Sequence, residues 1–500
     1  MKSSNNQIIS NHQITGILLF IICTVFSAKA QQPSVFLTLE RTIALAADSS
    51  LEALRSQNIY LSSYWEYMAF KAGRLPSLTL DLTPAQYYKQ LSKRYDSNEN
   101  IDIYRQQASY EANGGLSISQ NFDLLGGSFF LNSDLRYIRN FGENTYNEFV
   151  SIPVTIGYRQ NLLGYNSFSW EKKIAPLKYE KSKKQLVYDL ENTASLAAAY
   201  FFNLAMAQAE YDLAKENMSN TDTLYRIGEE RFKIASINQT DLLTLKLDRI
   251  NAANSLKNAE INYKRATFAL TSFLNMDKNT VVQIKLPSYP KTMEISVDKA
   301  LAEARRNNPE LIGYKQNILE REREVDRTKK ESMFNASIYA SMGFNQVGNT
   351  LANAYKDPTR QDILSLTLSI PLVDWGVRRG RFNMAKNSLN VMQITARQGE
   401  LKVEEDVIMT VGDFNMQKDM IKSAEEALEI ADKAYSQTRQ RFMIGKADIN
   451  SLTLSRQRQQ SARRNYVSAL ENYWNSYYKI RKLTLFDFEY NTPIISAIIE

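Results

Sequence analysis

The sequence predicts an α+β membrane protein built as two tandem structural repeats, with long antiparallel coiled-coil helices and short alternating strands. Three observations carry this. Only 18 Gly and 11 Pro punctuate 500 residues, too few turn-formers for several small domains. The chain resembles itself when displaced by about two hundred residues. Both halves combine a 3.5-residue apolar period with separate segments of period two.

The chain opens with Lys2, an almost unbroken apolar run from Ile14 to Phe26, and Ala28-Lys29-Ala30 before Gln31. This pattern predicts a secretory signal peptide over 1–30, cut after Ala30. The only histidine, His12, and the only cysteine, Cys23, fall inside it. A mature chain without either excludes Ser-His-Asp and Cys-His catalysis, the usual zinc sites and disulfides. Removing Lys2 and Lys29 from the 61 basic residues leaves 59 against 54 acidic ones, a balance that gives no argument for nucleic acid. No cofactor is implied.

A displacement of 210 lays Arg231-Phe232 on Arg441-Phe442, Ile234 on Ile444 and Asn262-Tyr263 on Asn472-Tyr473; residues 221–270 then hold 10 identities in 50, where chance gives roughly 3. A second displacement, of 258, lays Ala44, Ala46 and Glu52 on Ala302, Ala304 and Glu310. The repeats are therefore placed at 31–294 and 295–500, and the first carries 48 extra residues in its middle.

Steps of four and three visit Leu186, Leu190, Thr193, Ala197, Tyr200 and Leu204, and onward to Phe232. The same register, 210 later, visits Val403, Val407, Thr410, Phe414 and Ile421, and onward to Phe442. Each half thus predicts one very long supercoiled helix, over 168–232 in the first, which spans roughly 100 Å. Partner helices follow with seams from Leu242 to Phe273 and from Leu452 to Leu483.

The strands come between the helices. Leu78, Leu80 and Leu82 alternate with Thr79 and Asp81; Ile152, Val154 and Ile156 with Thr155 and Gly157; Ala336, Ile338 and Ala340 with Ser337 and Tyr339; Leu364, Leu366 and Leu368 with Ser365 and Thr367. Apolar residues opposite small polar ones fit a wall between lipid and lumen. The extra residues add a hairpin, Leu116 to Ser119 and Phe129 to Tyr137, turning near Gly126-Gly127, which either joins the wall or projects from it. Four to six strands cannot close a membrane barrel, and an open edge in lipid leaves backbone groups unpaired. The chain is expected to oligomerise through its strands.

Taken together with Asn307-Asn308-Pro309-Glu310-Leu311, Arg74-Leu75-Pro76-Ser77-Leu78, Ile370-Pro371-Leu372-Val373-Asp374-Trp375-Gly376 and the tip segments Arg231 to Ala235 and Arg441 to Gly445, this order resembles the TolC-type outer-membrane efflux family over 37–490. The resemblance implies a homotrimer. Four strands per chain would form a twelve-stranded barrel among outer-membrane lipids, continuous with a trimeric α-barrel in the periplasm. A band from 276–300 and 484–500 would wrap the helices. The family serves as the passive exit duct of tripartite efflux pumps or of type I protein secretion, with a periplasmic adaptor and an inner-membrane pump of RND or ABC type, and performs no chemistry. A non-channel coiled-coil scaffold outside the cytoplasm is the rival reading.

The resemblance places Arg231, Phe232, Ala235, Arg441, Phe442 and Gly445 at the periplasmic tips, as adaptor contacts. At the gate, Phe442 stands where the family often has Tyr, Ala447 where it has Arg, and Ser451 and Leu454 where it has Asp. Asp241 and Asp448 are the substitute candidates for a pore constriction, with helix capping as the alternative role for Asp448.

Overall fold

The computed structural model describes residues 34–96, 100–141, 145–162, 164–277, 280–287 and 293–494. The predicted signal peptide lies outside them. The elements run β1 (Ser34–Leu37), α1 (Leu39–Ser49), α2 (Leu51–Ala72), β2 (Ser77–Asp96), β3 (Ile101–Phe122), β4 (Gly127–Phe141), β5 (Tyr146–Asn161) and α3 (Ser167–Lys233). There follow α4 (Gln239–Phe273), β6 (Val281–Ile284), α5 (Val297–Asn307), α6 (Pro309–Glu331), β7 (Asn335–Gly348), β8 (Thr359–Ser369), α7 (Val377–Met443) and α8 (Ile449–Thr484).

The long helices α3 and α7 each hold 67 residues, about 100 Å at 1.5 Å per residue. Both ends are displaced by 210, from 167 to 377 and from 233 to 443. On α7 the 4-3 seam is the buried stripe: Val403, Val407, Thr410, Phe414, Ile421, Tyr435 and Phe442 are all buried. Among the described residues no helix is long and apolar enough to cross a membrane.

The chain divides into two compact units. One comprises 57–188 and 301–406 and holds a six-stranded antiparallel sheet in the order β2-β3-β4-β5-β7-β8. The extra hairpin therefore sits inside the ladder, hydrogen-bonded on both sides: β3 to β2, and β4 to β5. Its turn covers Asp123 to Gly126, where Gly126 takes φ +74°, a conformation glycine adopts without steric cost. Four helical segments enter or leave this sheet and pack in the order α2, α3, α6, α7. The Tyr67 and Tyr179 rings stack at 4.5 Å, the Trp170 indole donates to Asp326 at 2.8 Å, and the Tyr314 ring lies against Gly399.

The other unit comprises 189–300 and 407–492 together with the described residues before 57. Its helices pack in the order α4, α3, α8, α7. Tyr211 of α3 stacks on Tyr263 of α4 at 5.6 Å, Arg456 of α8 donates to Asn217 of α3 at 2.9 Å, and Phe414 of α7 meets Tyr473 of α8 at 5.0 Å. Short segments lie on these helices. β1 pairs in parallel with β6, Gln208 of α3 receives the Ile284 amide at 3.0 Å, and Asn415 of α7 exchanges two bonds of 3.0 Å with Ile295. Lys299 stands 4.9 Å from the Phe486 ring. The described parts of 276–300 and residues 484–492 thus belong to this unit.

Candidate functional site

Register decides which strand residues share a face, because residues directly opposite in an antiparallel pair point to the same side. One row runs Leu78, Ile118, Leu131, Ile156, Met342 across five strands and ends on Asp362 of β8. The next runs Phe129, Tyr158, Ala340, Leu364. On the opposite face Thr79, Ser117, Asn132, Thr155, Gly343 and Gln361 form a row of small or polar residues across all six strands. The alternation read strand by strand therefore assembles into one apolar and one polar surface.

The apolar surface stands open: Leu364, Leu366 and Leu368 are 78%, 69% and 55% exposed, and Leu78, Leu80 and Leu82 are equally free. The polar face also carries large apolar residues: Ile152 opposite Asp134, Ile363 opposite Ser341, and Phe130 and Tyr339, whose rings stack at 5.6 Å. Phe130 occupies the space a side chain at Gly157 would need, which explains the glycine in mid-strand. Among the described residues, β2 and β8 each have a partner on one side only, so both outer edges carry unpaired backbone groups.

The helix-hairpin tips share one hydrogen-bond pattern. Ala235 N–H donates to Phe232 C=O at 2.9 Å and Ser236 N–H to Arg231 C=O at 2.8 Å. Gly445 N–H donates to Phe442 C=O at 3.0 Å and Lys446 N–H to Arg441 C=O at 2.8 Å. Ala235 and Gly445 take φ +54° and +77°, the left-handed residue that ends a helix. Asn238 then caps α4 through the Asp241 N–H, and Asp448 caps α8 through the Ser451 N–H, each at 2.7 Å. The bonds that the Asp448 carboxylate accepts, first of all from Ser451, hold it below the usual carboxylate range.

The structure brings Arg231, Phe442 and the second tip together. Phe442 is only 6% exposed, packed with Leu224, Leu245, Tyr435 and Leu452, against which Ala447 also lies. The Arg231 guanidinium lies 5.9 Å from the Phe442 ring and donates to Met443 C=O at 3.0 Å. Phe232, Ala235, Arg441, Gly445 and Asp448 are on the surface, as are Ile234 and Ile444. Asp241 is half-buried in the first turn of α4, and Leu454 is exposed.

A buried ionic group escaped the sequence reading. Arg481 of α8 makes two bonds of 2.9 Å to Glu191 of α3 and one of 2.6 Å to Asp487, which Tyr477 O–H also reaches at 3.1 Å. Glu191 and Asp487 are both buried. Two charges 290 residues apart carry no local signal; only the flanking Leu190 and Thr193 of the α3 seam hint that Glu191 faces inward.

Residues 300–484 match the family model described as outer membrane efflux protein. No curated protein matches the chain. Among solved structures, the CmeC outer membrane channel of Campylobacter jejuni is similar at TM-score 0.64 and 14% identity, over 92% of this chain and 88% of that one. The outer membrane protein VceC of Vibrio cholerae is similar at 0.63 and 12%, over 89% and 95%, and a membrane protein of Pseudomonas aeruginosa at 0.64 and 12%, over 89% and 90%. Residues 300–484 thus carry the outer membrane efflux protein family's domain, and the chain as a whole has the fold of outer membrane channels.

Proposed function

We propose that this chain is the passive exit duct of a tripartite efflux pump. Three copies join their sheets edge to edge into one pore in the outer membrane of a Gram-negative bacterium. Their long helices form a periplasmic conduit that receives small molecules from an inner-membrane pump through an adaptor. The observation that carries this reading is the sheet: one face apolar and open, the other polar, and both edges unpaired. A hydrocarbon solvent satisfies no backbone group, so such edges demand further copies until the wall closes. The polar face then lines water, and the pump supplies the energy.

Within this reading Arg231, Phe232, Ala235, Arg441 and Gly445 meet the adaptor, joined by the exposed Ile234 and Ile444. Phe442 acts from inside by fixing the tip on which these residues stand. Copies of Asp448 or Asp241 around a narrow axis would favour cations. Conductance of the purified oligomer in a planar bilayer tests the duct. Discrete steps from a single species are expected; an intact, membrane-inserted oligomer without conductance would overturn the reading.

A further inference from the structure

The efflux family that the sequence resembles uses four strands per chain, whereas this chain has six in one ladder. The two additional strands form the hairpin of β3 and β4, and two observations bear on its place. Its apolar residues Ile118, Phe129 and Leu131 stand in register with the apolar rows of the neighbouring strands, while Ser117 and Asn132 fall in the polar row. A hairpin projecting into water would have no reason to keep that parity. Its turn is also tied to the base of its neighbours: Gln120 donates to Arg74 C=O at 2.8 Å, Asn166 to Asp123 C=O at 2.8 Å and Gln160 to Leu125 C=O at 3.1 Å, and Arg74 pairs with Asp123.

We infer that the β3–β4 hairpin faces lipid as part of the barrel wall, so that three copies build a barrel of eighteen strands, not twelve. The inference rests on the duct reading above. At equal tilt such a wall has a circumference about half as large again as a twelve-stranded one, in the size class of barrels that keep an aqueous channel.

The test uses nitroxide labels on single cysteines introduced beyond the predicted leader, which holds the only native one, Cys23, in the full oligomer reconstituted into phosphatidylethanolamine/phosphatidylglycerol vesicles. Hairpin positions are Ser117, Ile118, Leu131 and Asn132; reference positions are Leu366 and Thr367 on β8. Collision with oxygen reports lipid, and collision with a nickel chelate reports water. We expect Ile118, Leu131 and Leu366 to favour oxygen and Ser117, Asn132 and Thr367 to favour nickel. If β8 alternates but all four hairpin positions favour nickel, the hairpin lies outside the wall and this inference falls while the duct stands. If β8 fails to alternate as well, the membrane wall itself falls, and the inference with it. Light scattering, corrected for detergent, fixes the copy number: three copies give eighteen strands, and two copies would give twelve and overturn the count.

Discussion

The two helical hairpins, α3·α4 and α7·α8, are near-duplicates in length, tip bonding and seam, yet their surroundings differ. In the packing order α4, α3, α8, α7, the inner pair is the first helix of one hairpin and the second helix of the other. The inner interface carries charge: Arg481 on Glu191, Lys482 on Asn192 and Arg456 on Asn217. At positions 210 away stand Leu401 for Glu191 and Thr271 for Arg481. The outer helices leave apolar side chains uncovered: Met416, Met420 and Ile430 on α7, Leu247 and Ile261 on α4. One scaffold thus supplies two contact types, an ion-paired one completed within the chain and an apolar one left open. In a closed ring, α7 of one copy would meet α4 of the next.

The largest expected effect comes from breaking the inner interface. Arg481→Ala leaves two enclosed carboxylates without their cation, which costs about 3–5 kcal/mol. Replacing both partners, Arg481→Met with Glu191→Gln, should recover part of that loss. Thermal unfolding of the detergent-solubilised protein checks the order; an unchanged midpoint for Arg481→Ala would show that the group contributes nothing. Next in size is the outer contact. Met416 and Met420 are each 60% exposed, and covering such a side chain contributes about 1.5–3 kcal/mol. Met416→Lys with Met420→Lys should therefore weaken assembly by at least tenfold while leaving each chain folded. Light scattering against dilution measures this, and an oligomer of undiminished stability would place the contact elsewhere.

The difference in legibility between these interfaces is physical. Long helices announce themselves because a 3.5-residue period is repeated many times, so 168–232 predicted became Ser167–Lys233. The seam also marked Phe442 as an inward residue, although its place in the tip motif suggested a contact. Strand faces were legible for the same reason of period except at Ile152, expected on the apolar face with Val154 and Ile156 but carried to the polar side, opposite Asp134, by the register shift between Ile152 and Thr155. Strand lengths were not. β2 and β3 run for 20 and 22 residues, about twice what a tilted strand needs to cross hydrocarbon, and their far portions, such as Tyr87-Tyr88-Lys89-Gln90, carry no apolar alternation. Arg481 with Glu191, and the ladder that takes in the extra hairpin, depend on pairing distant segments. No window of sequence contains them.

The tips sharpen the comparison at lower energy. Ala235 holds a left-handed conformation that Gly445 holds in the other hairpin, and an L-residue there costs about 1–2 kcal/mol. Ala235→Gly should stabilise the first tip by about 1 kcal/mol, and Gly445→Ala should destabilise the second by a similar amount. Hydrogen exchange at Ser236 and Lys446, the amides that close the two turns, reads both changes. Equal and unaltered exchange in both variants would mean that the turn conformation carries no strain.

The smallest expected effect separates the caps. The first hairpin is capped by neutral Asn238 and the second by Asp448, so only the second can titrate. The Asp448 carboxylate is held below its ordinary pKa by the Ser451 N–H. Its contribution is therefore present above the unfolded carboxylate range and lost as pH falls through the depressed value. Between pH 7 and pH 2, protection of the Ser451 amide should drop more than that of the Asp241 amide, whose acceptor Asn238 stays neutral, and an equal drop at the two would refute the assignment. Asp448→Asn keeps an acceptor at the cap and removes the charge. With the cap intact, a shifted reversal potential in an asymmetric salt gradient would mean that Asp448 faces the conduction path, whereas an unchanged one would confine it to holding the first turn of α8.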